Sequence, residues 1–398
     1  MPSFLSLPVE LRISIYSLYL LDLQHVSGNL QPRNTHFRLL HVCRQISYEA
    51  GRLANFRSYV SLIHEDQISA FNSITTVEAA SRILHADVAN DSRLVHASGH
   101  VRQNLSVPAS ELYLVLSKLV SLRRLRVFEC HRSRPMKDFI VGARFTLQFE
   151  KAMFPSGSPP QLDSYELYLS PFKSPSRIFQ VVSPNRVKNL RLSGECGLLL
   201  GTKLPSLTNL AICGVTGHHL DQHMEEYFAQ SLLEEVRYRQ GDKLGARFEL
   251  RDHQLKSLVF GSASGLHKLV LLDCTRLSSS ILTTCFRHLE QLQYLALSFV
   301  SVHELDSNFV AAFPTSLAVV KLGITNAWFS SPLLQEEHKL CESFEESIIM
   351  RDPPLRSVHA DLRDEVIVAS SRGTRWTKIA KERKFALKLG PWEEDEIF

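Results

Sequence analysis

Hydrophobic residues recur along most of this chain in a fixed pattern. From about residue 119 onward the sequence Leu-x-x-Leu-x-Leu, with conservative substitutions, occurs ten times in order. Because side chains alternate across a β-strand, each match predicts a short strand with apolar residues on one face and polar residues on the other. The matches are residues 122–127, 162–167, 187–192, 207–212, 233–238, 255–260, 266–271, 292–297, 317–322 and 355–360.

The spacing of the matches indicates repeats. From Leu190 onward most central residues lie 20 to 26 positions apart, within the roughly 20–29 residues of a leucine-rich repeat. The step of 11 from Leu258 to Leu269 predicts a repeat without its outer helix, and the step of 38 from Val320 to Val358 predicts a loop insertion. Residues 221–233 and 281–289 predict outer helices between strands.

These repeats predict an α/β fold. A single repeat cannot bury its apolar face alone, so neighbouring units must stack. The expected architecture is an irregular leucine-rich-repeat solenoid with a parallel sheet on its concave side. An ordinary α/β domain with leucine-rich strands is the alternative.

The N-terminal sequence predicts helices before the repeats begin. Pro8 suits the first turn of a helix, where its missing N–H costs nothing. Leu11, Ile15 and Leu18 follow on one helical face. Residues 37–56 predict a second helical stretch, residues 59–63 a strand and residues 67–74 a short helix. Residues 75–110 show no clear period.

Two motifs stand in this N-terminal part. They are Leu7-Pro8-x-Glu10-Leu11-Arg12-x-x-Ile15-Tyr16-x-Leu18 and Leu39-Leu40-x-Val42-Cys43-Arg44-Gln45-Ile46-x-x-Glu49-Ala50. Together they resemble the F-box and F-box-like domains of fungal proteins. With the downstream repeats, the chain resembles the fungal F-box/leucine-rich-repeat class. The F-box resemblance covers roughly residues 4–56.

The resemblance implies a substrate-recognition adaptor of a cullin-RING (SCF-type) ubiquitin ligase. In that class the F-box docks on a Skp-type adaptor and the repeats capture a protein substrate. A leucine-rich-repeat interaction scaffold with no ubiquitin-ligase role is the alternative. The residues that the resemblance assigns to adaptor binding or its support are Leu7, Pro8, Leu11, Ile15, Val42, Cys43 and Ile46.

The expected organisation has four parts: an F-box-like helical module at 1–60, a connecting region at 61–115, leucine-rich repeats at 116–370 and a charged cap or tail at 371–398. In the last part, Trp376, Ile379 and Ala380 predict a helix that packs onto the final repeat. Such a cap shields the apolar end of a repeat array.

Composition narrows the class of protein. The chain has 398 residues, 44% hydrophobic and 22% charged, with a formal net charge of +4. This balance is typical of soluble globular proteins and too weakly basic for a dedicated nucleic-acid binder. Seven scattered cysteines without a Cys-x-x-Cys pair argue against a disulfide framework or zinc ribbon. No transmembrane or secretory segment is evident, so we expect a cytoplasmic or nuclear protein without a membrane partner.

Basic residues recur at the polar strand positions. Arginine and lysine on one sheet face suit carboxylates or phosphates, so they predict a partner with an acidic or phosphorylated segment. Ordinary solubilising charge is the alternative. The predicted partner-binding residues are Arg124, Arg126, Arg191, Arg237, Arg239 and Lys321.

Catalytic patterns do not emerge. The sequence contains neither a phosphate-binding loop nor a Gly-x-Ser-x-Gly nucleophile elbow. His219 and His223 have the spacing of a shared metal, but a solvated outer helix explains them as well. We therefore expect a protein that is not an enzyme and that needs no cofactor or metal.

Overall fold

The computed structural model describes residues 4–24, 39–62, 64–90, 110–129, 149–155, 159–169, 176–241, 247–261, 265–301, 305, 308–326, 334–368 and 371–394. Its contacts define two compact units, of which unit 1 is built on Met1–Leu199 and unit 2 is Leu200–Glu394. Both units are α/β, and the strands of their main sheets run parallel.

Unit 1 begins with helices and continues as alternating strands and helices. A 3-10 turn, Phe4–Ser6, precedes the first helix. Its helices are α1 (Val9–Gln24), α2 (Arg44–Ala50), α3 (Ala54–Ser58), α4 (Glu65–Ile74), α5 (Val77–Ala80), α6 (Leu112–Lys118) and α7 (Phe149–Met153). Its strands are β1 (Tyr59–Leu62), β2 (His85–Asn90), β3 (Arg124–Glu129), β4 (Ser164–Tyr168), β5 (Ser176–Ile178), β6 (Asn189–Gly194) and β7 (Cys196–Leu198).

The main sheet of unit 1 has the order β1-β2-β3-β4-β6, and β5 pairs separately with β7. Its register aligns the apolar positions of successive strands, with Val88 opposite Val127 and Val127 opposite Leu167. All three are buried. We call this side of the sheet in either unit the leucine face, and the opposite side the polar face.

Unit 2 repeats the alternation of strand and helix. Its strands are β8 (Asn209–Val215), β9 (Glu235–Arg239), β10 (Lys268–Cys274), β11 (Tyr294–Ser301), β12 (Val319–Asn326), β13 (Ser357–Asp361) and β14 (Ala386–Leu389). They pair in chain order. Its helices are α8 (His219–Phe228), α9 (Asp252–Gly261), α10 (Ser279–Phe286), α11 (Leu334–Phe344), α12 (Asp364–Ile367) and α13 (Arg372–Arg383).

The same backbone hydrogen bond recurs where successive strands of unit 2 begin. The amide of His267 donates to the carbonyl of Glu234, and that of Gln293 donates to the carbonyl of His267, at 2.9 and 2.8 Å. Ala318 donates to Gln293 and Arg356 to Ala318, both at 2.8 Å. Each of these strands of unit 2 therefore begins after an equivalent turn. This turn fixes the register between neighbouring strands, and with it the alignment of the leucine positions.

Nine of the ten pattern matches form strands, and their leucine positions are buried as predicted. The tenth prediction was wrong, because residues 255–260 lie in α9. Leu255, Leu258 and Val259 are buried at helical spacing while Phe260 is exposed. The step of 11 therefore does not mark a missing helix, since α9 is the helix between β9 and β10.

Two other boundaries differ from expectation. The step of 38 contains helix α11 and a π-helical turn, Glu345–Ile349, where a loop insertion was predicted. Within the described part of residues 37–56, two helices lie on either side of Gly51 in place of one stretch. The strand at 59–62 and the helix over 67–74 are confirmed. The four-part division at residues 60, 115 and 370 stays a prediction.

Helix α10 of unit 2 begins at a residue that local chemistry favours for a helix start. Ser278 precedes α10, and its hydroxyl oxygen accepts the amide of Ile281 at 3.2 Å, which satisfies one of the free donors at a helix start. The predicted helices around 221–233 and 281–289 are α8 and α10. The predicted cap helix is α13, in which Trp376 and Ala380 are buried.

Candidate protein-interaction surfaces

The N-terminal helices are held together by one ion pair. Arg12 of α1 donates from Nε and Nη2 to the carboxylate of Glu49 in α2, at 2.9 and 2.6 Å. The hydroxyl of Tyr16 and the amide of Gln45 donate to the same carboxylate, each at 3.0 Å. Arg12 also donates to the carbonyl of Leu5, which ties the preceding 3-10 turn to the helix. Hydrogen bonds from Arg12 and then Gln45 lower the pKa of Glu49 to about 2.

A small apolar cluster completes this N-terminal module. Tyr16, Ile46, Ala50 and Phe56 are buried together, and Leu39, Leu40, Cys43 and Leu53 pack against them. Cys43 is the N-cap of α2, where its sulfur accepts the amide of Ile46 at 3.5 Å. The motif residues that face inward therefore explain why this sequence folds as a helical module.

Other motif residues leave an apolar surface on the outside of the module. Leu11 is 53% exposed, Ile15 43%, and both Leu18 and Val42 63%. Large contiguous apolar patches on a folded protein mark sites where another molecule binds, and Leu11, Ile15 and Leu18 follow one face of α1. Among the predicted adaptor-binding residues, Leu11, Ile15, Val42 and Pro8 are exposed, Leu7 and Cys43 are half-buried, and Ile46 is core.

The N-terminal module should loosen as the pH falls from about 4.5 to about 2. The pKa of Glu49 is about 2 in the folded chain against an ordinary 4.5. Because the pKa of Glu49 is lower in the folded chain than in the unfolded chain, the ionised carboxylate stabilises the folded module. This contribution is complete above pH 4.5 and is lost as the pH falls towards 2. The methyl NMR shifts of the core residue Ile46 should follow this titration. If the Ile46 methyl shifts change with pH in the same way in a Glu49→Gln variant, the titrating group is not Glu49 and the prediction is wrong.

On the polar face of unit 1, acidic and basic residues alternate across four strands. The register places Asp87 beside Arg126, Arg126 beside Glu166 and Glu166 beside Arg191. Arg126 Nε lies 3.3 Å from Glu166, and its Nη1 lies 3.6 Å from Asp87. Arg124 donates to Glu166 at 2.7 Å. We call these five residues the charge ladder.

Asp87, Arg126, Glu166 and Arg191 are buried and Arg124 is half-buried, so each charge of the ladder depends on its neighbours. Burial raises the pKa of Glu166, but the charges of Arg126 and Arg124 outweigh it and lower that pKa to about 2. At Asp87 burial prevails, and its pKa is raised despite the charge of Arg126. The hydroxyls of Ser164 and Tyr168 also donate to Glu166, at 2.7 and 2.9 Å. Glu166 is thus the anionic centre of the ladder.

Arg191 is engaged within unit 1 as well. Its Nη1 donates to the carbonyl of Leu167 at 2.6 Å, and its guanidinium lies 4.1 Å from the ring centre of Tyr168. That ring stacks on Phe128 at 4.5 Å. Arg126 and Arg191 are both buried. Three of the predicted partner-binding residues, namely Arg124, Arg126 and Arg191, therefore make contacts inside unit 1.

The polar face of unit 2 carries the other three predicted residues. Arg237 is buried and pairs with Glu235, which also lies 3.2 Å from Lys268. Arg239 is more exposed and lies 3.8 Å from Asp273. The amino group of Lys321 lies 2.5 Å from a carboxylate oxygen of Glu394.

Sequence reasoning missed two residues of this face, Trp392 and Glu394. Trp392 packs against Val270, Leu272 and Ala296, beside Tyr294. The signal available in the sequence was an aromatic residue directly before acidic ones, after a run of basic residues. That signal does not specify which distant strands the segment contacts.

Other candidate chemistry is sparse in the part of the chain that the structure describes. No group of three metal-ligating side chains comes together there. His219 instead shares a 2.8 Å hydrogen bond with the hydroxyl of Tyr227. The free cysteines in these residues are Cys43, Cys196, Cys213, Cys274, Cys285 and Cys341, of which all but Cys43 are buried. No helix of the described residues is both long and apolar enough to cross a bilayer.

A comparison with protein-family models finds no match, and a comparison with curated proteins finds none either.

Proposed function

We propose that this chain is a substrate-recognition adaptor of an SCF-type ubiquitin ligase. Its N-terminal module is an F-box-like domain that binds a Skp-type adaptor, and its strand–helix units are leucine-rich repeats that bind a protein partner. The protein transfers nothing itself. It holds a target close to the ligase, and its contribution is proximity.

The observation that carries this proposal is the outer surface of the N-terminal module. Arg12, Tyr16 and Glu49 hold α1 and α2 together without using Leu11, Ile15 or any other exposed apolar residue. A module that needed these residues only for folding would bury them. Their exposure on a well-packed pair of helices supports a role in binding.

The repeated turns support the second half of the proposal. Equivalent backbone hydrogen bonds link Glu234, His267, Gln293, Ala318 and Arg356 in series along unit 2. Together with the buried leucine positions, this regularity is typical of leucine-rich repeats. The more exposed side chains of the polar face of unit 2, such as Arg239, then provide contacts for a partner.

The test is binding of the full chain to a purified fungal Skp-type adaptor, measured by pull-down and titration. Leu11→Asp and Ile15→Asp should each weaken binding by about 30-fold or more, as expected for loss of a hot-spot residue worth about 2 kcal/mol. Both side chains are exposed, so the variants should fold. The matched control is Val120→Asp, because Val120 is 64% exposed and lies in the same unit outside the module.

Each outcome decides between the two functions. Binding that Leu11→Asp abolishes and Val120→Asp preserves would support the ligase adaptor. If all three variants bind as tightly as the parent, the surface of Leu11 and Ile15 is not the binding site. If the folded parent chain binds no adaptor, the ligase role is rejected. The chain would then be a repeat-based interaction scaffold whose N-terminal module is structural.

A further inference from the structure

The segment after β14, Pro391–Glu394, lies on the polar face of unit 2. It forms neither helix nor strand, and Pro391 and Glu393 are exposed, whereas Trp392 and Glu394 are partly buried. Two side chains therefore attach the segment, one through apolar contact and one through charge. We call it the 391–394 segment.

The apolar contact is a seat for the indole ring. Val270 and Ala296 are neighbours in register on β10 and β11, and Leu272 completes the patch against which Trp392 packs. Gly323 of β12 lies under the ring, where an added Cβ would be 3.7 Å from two atoms of the indole. A longer side chain at Gly323 would fill the space that the indole occupies.

The charged contact lies beside the indole seat. The carboxylate of Glu394 accepts a hydrogen bond from the hydroxyl of Tyr294 at 2.6 Å, and it lies 2.5 Å from the amino group of Lys321. Lys321 also donates to the carbonyl of Glu393 at 3.4 Å. Its amino group lies 5.8 Å from the ring centres of both Tyr294 and Trp392, within the range of cation–π attraction.

The surroundings favour negative charge. In register, Lys321 lies opposite His359, and His359 lies opposite Lys388. Burial lowers the pKa of His359, and the charges of Lys321 and Lys388 lower it further. This part of the polar face therefore has positive potential next to an apolar seat, a combination that suits an acidic peptide with an aromatic residue.

We propose that this face binds a partner segment with an aromatic residue followed two positions later by a carboxylate. The 391–394 segment has that chemistry and occupies the site in the absence of the partner, which must displace it. The proposal specifies the partner for the recognition half of the proposed function, but it does not depend on adaptor binding. Because the tethered segment acts at an effective concentration of about 1 mM, it should compete strongly with a dilute partner.

The experiment measures binding of a fluorescein-labelled peptide with the sequence of residues 390–398 to the full chain by fluorescence anisotropy, without any adaptor. In the double variant Trp392→Ala, Glu394→Lys the chain's own segment loses both attachments. This variant should bind the peptide at least about tenfold more tightly than the wild-type chain does. Adding Lys321→Glu should abolish the binding. Adding Lys339→Glu should not, since Lys339 is an exposed lysine on α11.

Two results would overturn the proposal. One is a folded double variant, verified by circular dichroism, that does not bind the peptide; the 391–394 segment would then be purely structural. The other is a wild-type chain that binds the peptide as tightly as the double variant. If the double variant does not fold, the single variant Glu394→Lys replaces it. That variant should bind the peptide more tightly than the wild-type chain does, and equal affinities would reject the proposal.

Discussion

Replacing Glu166 by alanine should lower the free energy of unfolding of unit 1 by about 3–5 kcal/mol, the usual cost of removing one partner from a buried ion pair. Glu166 is fully buried and accepts from Arg124, Ser164 and Tyr168, while Arg126 lies 3.3 Å away. Without this carboxylate, Arg126 still lies 3.6 Å from the carboxyl group of Asp87. That carboxyl is already the weaker anion, because burial raises its pKa.

Denaturation in urea, followed by far-ultraviolet circular dichroism, measures the loss. The matched control is Glu78→Ala in the same unit. Its side chain is 81% exposed and pairs with Arg82 across one helical turn, so its removal should change stability by no more than about 0.5 kcal/mol. Equal effects of the two substitutions would show that the charge ladder does not stabilise unit 1. A Glu166→Gln variant separates the lost charge from the lost volume.

The leucine face could be predicted from the sequence because it depends only on local spacing. Three apolar positions in each repeat must be buried, and within the strand they alternate with polar ones, so the pattern is visible without knowledge of the partner strands. Residues 255–260 were misassigned because Leu255 and Leu258 are three apart, a spacing that serves a helix as well as the repeat pattern. The exposed Phe260 distinguishes the two structures only once the fold is known.

The polar face could not be predicted to the same extent, because it depends on register between distant strands. Arg126 contacts Asp87 and Glu166, and neither carboxylate is near it in the sequence. Asp87 also belongs to residues 75–110, where the sequence showed no period but the structure has β2. The basic residues could therefore be placed on the correct face, while their pairing partners could not be identified.

The candidate surfaces illustrate the same limit. The two N-terminal motifs contain both buried and exposed residues of the module, but a motif does not show which of its members face inward. Arg12 and Glu49 form the interior bond, and Leu11 and Ile15 form the exterior surface. The contact surface of Trp392 is formed by residues of β10, β11 and β12, which are far apart in the sequence, and β14, the strand that precedes Trp392, was not predicted.

Helix α13, the predicted cap, gives the second large effect that we expect. Trp376 is fully buried in α13, its ring centre lies 5.5 Å from that of Phe344 in α11, and its indole N–H donates to Glu345 at 2.9 Å. Trp376→Ala should lower the free energy of unfolding of unit 2 by about 3–5 kcal/mol, because it removes a fully buried aromatic side chain and leaves a cavity beside Phe344.

Trp376→Phe separates the two contributions of this side chain. Phenylalanine keeps most of the contact with Phe344 but removes the hydrogen bond from the indole N–H to the carboxylate of Glu345, so we expect a loss of about 1–2 kcal/mol. Hydrogen exchange of the amides of β13 and β14 locates the effect. Protection lost there in Trp376→Ala, and retained in β9 and β10, would show that α13 caps the end of the array. If protection is instead lost equally in all strands of unit 2, these strands unfold as one cooperative block. All of them then depend on helix α13, and not only the last two.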